Sequence, residues 1–446
     1  MDRRSFLMGA GATAAASLPF RALIARAQEP SHQGGLRRGQ TAGYGPLFET
    51  VDQTTGLPLL LLPEGFKYLS FGWRGDLMAN GQPTPGAHDG MAAFPAGNGR
   101  TRLVRNHENG PGTPFTPNSY DPAASGGTTT LEFETHTGEL LGAWPSLSGT
   151  IRNCAGGMTP WGSWLTCEET NLFATKPHGY VFEVPADGQA DPLPIRDMGR
   201  LSHEAVALDP ATGYVYETED AGSTSGFYRF VPNAEGNLAA GGHLFMLKVR
   251  GVALANLGAS YANGATFEVE WVPIATPDNP TAAAPGNFVW AQGRAQNAAT
   301  FARLEGCWYG NDAKIYIVST SGGIGQGQIW EYDPAEETIS LLFQSPGADV
   351  LNAPDNITVS PRGGLVLCED GSGLEYLHGL TTEGEIFRFA QNNVKLNAER
   401  NGIAGDFTSS EWAGACYSPD GRWLFANIQS PGITFAITGP WKSGAL

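Results

Sequence analysis

The sequence predicts an all-β fold, a six-bladed β-propeller with inserted lid loops. Three observations predict it. One phrase recurs six times, starting near residues 88, 153, 202, 303, 354 and 411: an apolar run, a turn, then a second β-prone run. The usual spacing of roughly 40–50 residues is that of propeller blades. The 60 Gly and 31 Pro among 446 residues suit many short strands and turns.

The fullest copy runs from Leu201 to Asp220. Glu204 opens it, Ala205 to Leu208 are apolar, and Asp209-Pro210-Ala211-Thr212-Gly213 is a turn by composition. Tyr214 to Thr218 follow and lead into Glu219 and Asp220. Two such runs around a Gly-containing turn make a β-hairpin. Glu204, Glu219 and Asp220 then share the end away from the turn. The other copies repeat the plan: Asn153-Cys154 to Cys167-Glu168-Glu169, Arg303-Leu304-Glu305 to Ser319, Pro354-Asp355 to Cys368-Glu369-Asp370, and Glu411-Trp412 to Asn427. A looser copy, His88-Asp89-Gly90 to His107-Glu108, opens the series.

Third strands are expected at Thr128–Phe133, Tyr180–Val184, Phe227–Val231, Ile329–Tyr332, Glu385–Phe389 and Ile433–Ile437, with fourth strands at His243–Val249 and Thr338–Phe343. Phe66–Phe71 is assigned as the outer strand that closes the ring onto the last blade. Gly110–Gly127 is a surface loop. The insertion at 251–302 carries a strand at Phe267–Pro273 and a short helix near Arg294–Ala302, and is expected to be a lid. Gly371–Gly384 is expected to lie over the same mouth.

Residues 1–27 form a targeting segment. Arg3-Arg4-Ser5-Phe6-Leu7 is a twin-arginine signature, Leu7–Leu18 is weakly apolar, and Ala25-Arg26-Ala27 is a cleavage site. The expected location is periplasmic or secreted, after passage through the twin-arginine export machinery and cleavage following Ala27. Residues 28–45 are expected to be a flexible tail, and 46–446 a single propeller domain. No apolar run reaches the ~18 residues of a membrane anchor. The formal charge of −17 argues against nucleic acid as a partner. A monomer is expected.

Glu108, Glu168, Glu169, Glu204, Glu219, Asp220, Glu305, Asp355, Glu369 and Asp370 all fall at one end of the hairpins. Such crowding needs neutralisation. Carboxylate and amide oxygens, the latter from Asn106, Asn153 and Asn356, suit Ca²⁺. Cys167 beside Glu168 adds a soft donor that suits iron or zinc. Cys154, Cys307 and Cys416 sit inside first strands and are assigned as small apolar packing residues. Arg303 is the cation best placed to meet an anionic substrate.

Several phrases resemble the PhoX-type alkaline phosphatases. They are Asn153-Cys154-Ala155-Gly156-Gly157, Thr159-Pro160-Trp161-Gly162-Ser163-Trp164-Leu165-Thr166-Cys167-Glu168-Glu169, Gly199-Arg200-Leu201-Ser202-His203-Glu204 and Asn427-Ile428-Gln429. The resemblance runs from about residue 60 to the C-terminus. It implies an exported enzyme that hydrolyses phosphate monoesters at a cluster of iron (Fe³⁺) and calcium (Ca²⁺). Cys167 would be an iron ligand, and Glu108, Glu168, Glu204, Glu305 and an acid of Glu219-Asp220 would hold iron or calcium. Asp355 and Asp370 complete the expected metal set. Arg303 would contact phosphate, with Asn153 as a second substrate contact. The chain departs from the family pattern at Leu304 and at Ser430, where Pro and His are usual. Two other readings fit the acid ring: a calcium-dependent lactonase or esterase, and a calcium-stabilised binding propeller without catalysis.

Overall fold

The structure is a computed structural model and describes residues 42–446. The twin-arginine segment and the expected tail as far as Thr41 lie outside the described residues. The last tail residues are not loose. Ala42 is fully buried, and the Tyr44 hydroxyl donates to the backbone oxygens of Trp441 and Leu446 at 3.0 and 2.7 Å.

Six antiparallel hairpins organise the chain. Their inner strands are His88–Gly97, Asn153–Met158, His203–Leu208, Leu304–Tyr309, Pro354–Val359 and Trp412–Tyr417. Their second strands are Arg100–His107, Ser163–Glu168, Val215–Glu219, Ile315–Ser319, Leu365–Glu369 and Leu424–Ile428. Each inner strand packs beside the next in chain order, and the sixth packs beside the first. The arrangement is all-β and propeller-like. Lys67–Phe71 pairs with Ile433–Thr438, so the N-terminal region closes the last sheet as expected.

The core is divided the same way. Six apolar clusters each lie between consecutive hairpin units. Leu165, Val181, Val206 and Tyr228 join the second unit to the third. Met91, Leu103, Phe425 and Ala436 join the sixth back to the first. Each sheet therefore buries both faces against its neighbours, which is what gives short, two-faced strands a core.

Three expectations change. Thr266–Pro273 is a fifth strand on the third unit, and its start pairs with Thr338–Gln344 of the fourth. Those two units share one nine-stranded sheet. The insertion's strand is thus an outer seam rather than a lid. Its helix lies earlier than expected, at Phe288–Arg294. In the fifth unit the third strand is Tyr376–Leu380, inside the expected mouth loop, and Ile386–Asn392 is the fourth.

Every inner strand carries a bulge near its start, one residue later in the sixth than in the other five. Pairing skips between His88 and Met91, Asn153 and Gly156, His203 and Val206, Leu304 and Cys307, Pro354 and Ile357, and Ala413 and Cys416. A bulge opposes two residues to one and re-aims their side chains. It also frees carbonyls from the ladder, and these need new partners. The neighbouring unit supplies them. Asn106 donates to the carbonyls of Cys154 and Ala155 at 2.9 and 2.8 Å. Thr218 donates to the Glu305 carbonyl and Asn427 to that of Asp89.

Close approach of these bulges demands small residues. A Cβ on Gly90 would lie 2.5 Å from the Cα of Ala155 and 2.5 Å from the Cys154 carbonyl oxygen. Gly90→Ala should therefore cost about 1–3 kcal/mol in denaturant unfolding, the range for overpacking. Gly142→Ala, with open space around its Cβ, should stay within about 0.5 kcal/mol. Equal stability of the two variants would contradict the close contact.

Candidate metal centre

The bulges aim one residue per unit into a shared mouth: Asp89, Cys154, Glu204, Glu305 and Asp355 in the first five units. The residue just past each second strand adds Glu108, Glu169, Asp220 and Asp370. Glu411 enters from the sixth unit.

Four sets of ligand atoms lie within 4.8 Å of one another: Cys154, Glu169 and Glu204; Glu204, Glu305 and Asp355; Asp355, Asp370 and Glu411; Asp89, Glu108 and Glu411. Glu204, Asp355 and Glu411 each belong to two sets. The sets thus form one continuous arc. A cavity of about 10 Å³ is lined by residues from each inner strand, Met91, Ala155, Ala205, Gly306, Ile357 and Ala415 among them. A larger concavity of about 610 Å³, lined by residues including Tyr44, Leu61, Phe387 and Arg388, has no acid in its wall.

Of the residues expected from the sequence, Glu108, Glu204, Asp220, Arg303, Glu305, Asp355 and Asp370 meet at the mouth. Four others, Cys167, Glu168, Glu219 and Asn153, lie outside the sets of clustered ligand atoms. Cys167 is fully buried among Leu165, Val181, Val206 and Tyr228. It occupies the same register as Asn106, Thr218 and Asn427 and so faces the next unit's bulge. The thiol beside the acids is that of Cys154, one of the cysteines assigned to packing.

Glu168 is saturated. It accepts from the backbone N–H groups of Ile151, Gly179 and Tyr180 at 2.8, 2.9 and 3.2 Å, and pairs with His178 Nδ1 at 2.6 Å. Glu219 accepts from the Gly226 N–H and the Tyr228 hydroxyl. Glu369 is used alike, by Asn352 and Tyr376. The first acid of each terminal pair pins a loop, and the second reaches the mouth. Asn153 is fully buried and bonded to Thr150 and Thr166, away from the mouth's exposed face.

Sequence reasoning left Asp89, Cys154, Glu169, Glu411 and Arg152 out of the metal and substrate sets. A signal for the first two was present: Asp89-Gly90, Cys154-Ala155, Glu204-Ala205 and Glu305-Gly306 each place a donor before a small residue.

Burial drives the proton affinities of Asp89, Glu204, Glu305, Asp355 and Glu411 well above the usual carboxylate range; neighbouring acids push the same way, while Arg303 opposes the rise at Glu305 and Asp355. Burial lifts Glu169 to about 7. Burial, then Glu204, raises the Cys154 thiol. Two guanidiniums offset part of this charge. Arg152 binds Glu108 at 3.0 Å and also Glu169. Arg303 binds Asp220 at 2.9 Å and Glu305 at 2.8 Å.

The residues fit bound cations. Asp89 Oδ1 is buried without a hydrogen-bond partner, and a cation would let the crowded acids ionise together. Hard oxygens suit a divalent cation such as Ca²⁺, while the Cys154 set suits a transition metal.

The pH dependence has a definite sign. Glu169 rises from 4.5 to about 7 in the folded chain. Between those values the folded state holds a proton that the unfolded state releases, so stability falls as pH rises through the window. After chelation, Tm should drop progressively from about pH 5 to about pH 8, and a divalent cation should restore most at the upper end. A Tm that is flat or rises over this range would contradict the coupling.

The chain matches the family Alkaline phosphatase PhoX over residues 42–141 and 133–432. No curated protein matches it significantly. Among solved structures it is similar to Pseudomonas fluorescens PhoX in complex with vanadate, a transition state analogue. That match has 19% identity and a TM-score of 0.68, and it covers 92% of this chain and 99% of that one. A gluconolactonase from Xanthomonas campestris aligns at 14% identity over 91% of this chain and 99% of its own, with a TM-score of 0.43 that carries no inference. The family match spans most of the chain and the first structural match agrees on the fold, so this protein belongs to the PhoX alkaline phosphatase family.

Proposed function

We propose that the protein is an exported, metal-dependent phosphatase that hydrolyses phosphate monoesters at the mouth of a six-bladed propeller. The observation that carries this reading is the arc of four overlapping ligand sets, with a thiol at one end and Arg303 at its edge. Family membership supports the reaction class. Six apolar clusters between consecutive units support the blade number. The twin-arginine signature and cleavage motif support export to the periplasm or beyond.

Cys154, Glu169 and Glu204 would hold iron, and the three all-carboxylate sets would hold calcium. Bound there, the ions supply Lewis acidity toward phosphoryl oxygens. The chain's own residues do the rest. The bulges hold the carboxylates in place before substrate arrives. Arg303 donates N–H groups to phosphoryl oxygens as charge develops on them.

Purified protein should contain iron and calcium and hydrolyse a simple phosphate monoester. Calcium alone, with hydrolysis of lactones and no phosphatase activity, would overturn this in favour of the lactonase reading. Cys154→Ser should lose iron and its thiolate colour, whereas Cys167→Ser should keep both. The reverse result would restore Cys167 as the ligand. Arg303→Ala should lower kcat/KM by about 10²-fold or more with metal content unchanged. Near-normal turnover would remove Arg303 from the phosphate site.

A further inference from the structure

Arg152 and Arg303 occupy one register position in two different units. Each immediately precedes the first paired residue of its inner strand. Each has a left-handed backbone, with φ of 52° and 49°. Ala87 and Ala353 hold the same position and conformation in the first and fifth units, with φ of 47° and 49°. Non-glycine residues kept in this region cost energy and cluster at functional sites.

The two side chains are used alike. Each guanidinium ties acids from adjacent elements through Nε and Nη2, Arg152 to Glu108 and Glu169, Arg303 to Asp220 and Glu305. Arg152 holds Glu169 and Arg303 holds Glu305, and each of these acids shares a ligand set with Glu204, so the arginines flank one stretch of the arc. Each remains 46% and 39% exposed respectively. In both, Nη1 has no hydrogen-bond partner among the described residues. If Arg152 served only to neutralise acids, it would not need to leave a donor pair at the open face.

We propose that Arg152 is a second substrate-binding residue, paired with Arg303, and that the pair selects phosphate monoesters over diesters. This rests on the phosphatase reading above. A monoester dianion carries two charges and three terminal oxygens, enough for two guanidiniums in addition to metal. A diester has one charge and two such oxygens. The second arginine therefore adds more to monoester binding than to diester binding.

The test uses full-length, metal-loaded protein, Arg152→Ala and Arg152→Lys. Alanine already occupies this position in two other units, so the Ala variant should fold. The readouts are metal content, equilibrium binding of inorganic phosphate by calorimetry, and kcat/KM for p-nitrophenyl phosphate and bis(p-nitrophenyl) phosphate. Both variants should keep their metals. Arg152→Ala should bind phosphate about 10-fold more weakly or worse, and its monoester-to-diester preference should fall by a similar factor. Arg152→Lys should lie between, having the charge without the fork. Phosphate affinity within about twofold of wild type in both variants would overturn the proposal, as would metal loss in both. If the wild type binds phosphate through Arg152 yet hydrolyses no phosphate ester, the phosphatase reading fails and the binding role stands.

Discussion

Each inner strand sets two residues against one of its partner's, near its start, in all six hairpins. The site depends on this constraint. A regular strand would alternate its side chains between the two faces of its sheet. The bulge breaks that alternation and turns one residue of each unit toward the mouth, where the first five units place Asp89, Cys154, Glu204, Glu305 and Asp355. The same distortion strips carbonyls from the ladder. Asn106, Thr218 and Asn427 restore their hydrogen bonds from the unit before. One device thus builds the ligand set and locks adjacent units together.

The arc is costly without counter-charge. Carboxylates crowded within 4.8 Å of one another, the buried Asp89, Glu204 and Glu305 among them, repel strongly if all ionise. Protons can relieve the repulsion, and so can cations. Arg152 and Arg303 pair with four of the acids, Glu108, Glu169, Asp220 and Glu305, and leave the others without a cation among the described residues, and each arginine is half-exposed. Geometry set by the bulges is independent of this charge, so the fold can hold the arc ready for ions. The first acid of each terminal pair serves that rigidity. Glu168 and Glu369 spend their oxygens on backbone N–H groups, which fixes where Glu169 and Asp370 begin.

Much of this was legible in the sequence. The hairpins follow from β-prone runs around Gly- and Pro-bearing turns. The closing strand follows from an apolar run upstream of the first repeat. That the acids share one end follows from the hairpins alone. What was not legible turns on single-residue offsets. Cys167 and Cys154 lie on opposite strands of one hairpin, and strand periodicity gives no means to see that a bulge redirects Cys154 while Cys167 keeps its place in the core. Glu168 and Glu169 are chemically alike, and only the loop that returns over Glu168 separates their roles. Asn153 carries an amide suited to either task, and its partners Thr150 and Thr166 meet it only in the folded sheet. The seam at Thr266–Pro273 joins two units across a long insertion, a contact that no local pattern announces.

The central claim is that the bulge residues, joined by the second acid of each terminal pair, form the metal arc, and that Cys167 and the first acid of each pair do not. An anomalous-difference map from a crystal of the metal-loaded protein tests it directly. The account predicts peaks at coordination distance, about 2.0–2.6 Å, from Asp89, Cys154, Glu204, Glu305 and Asp355. It predicts none at Cys167, Glu168 or Glu219. A peak at Cys167 or Glu168, with the Cys154 sulfur unligated, would contradict it.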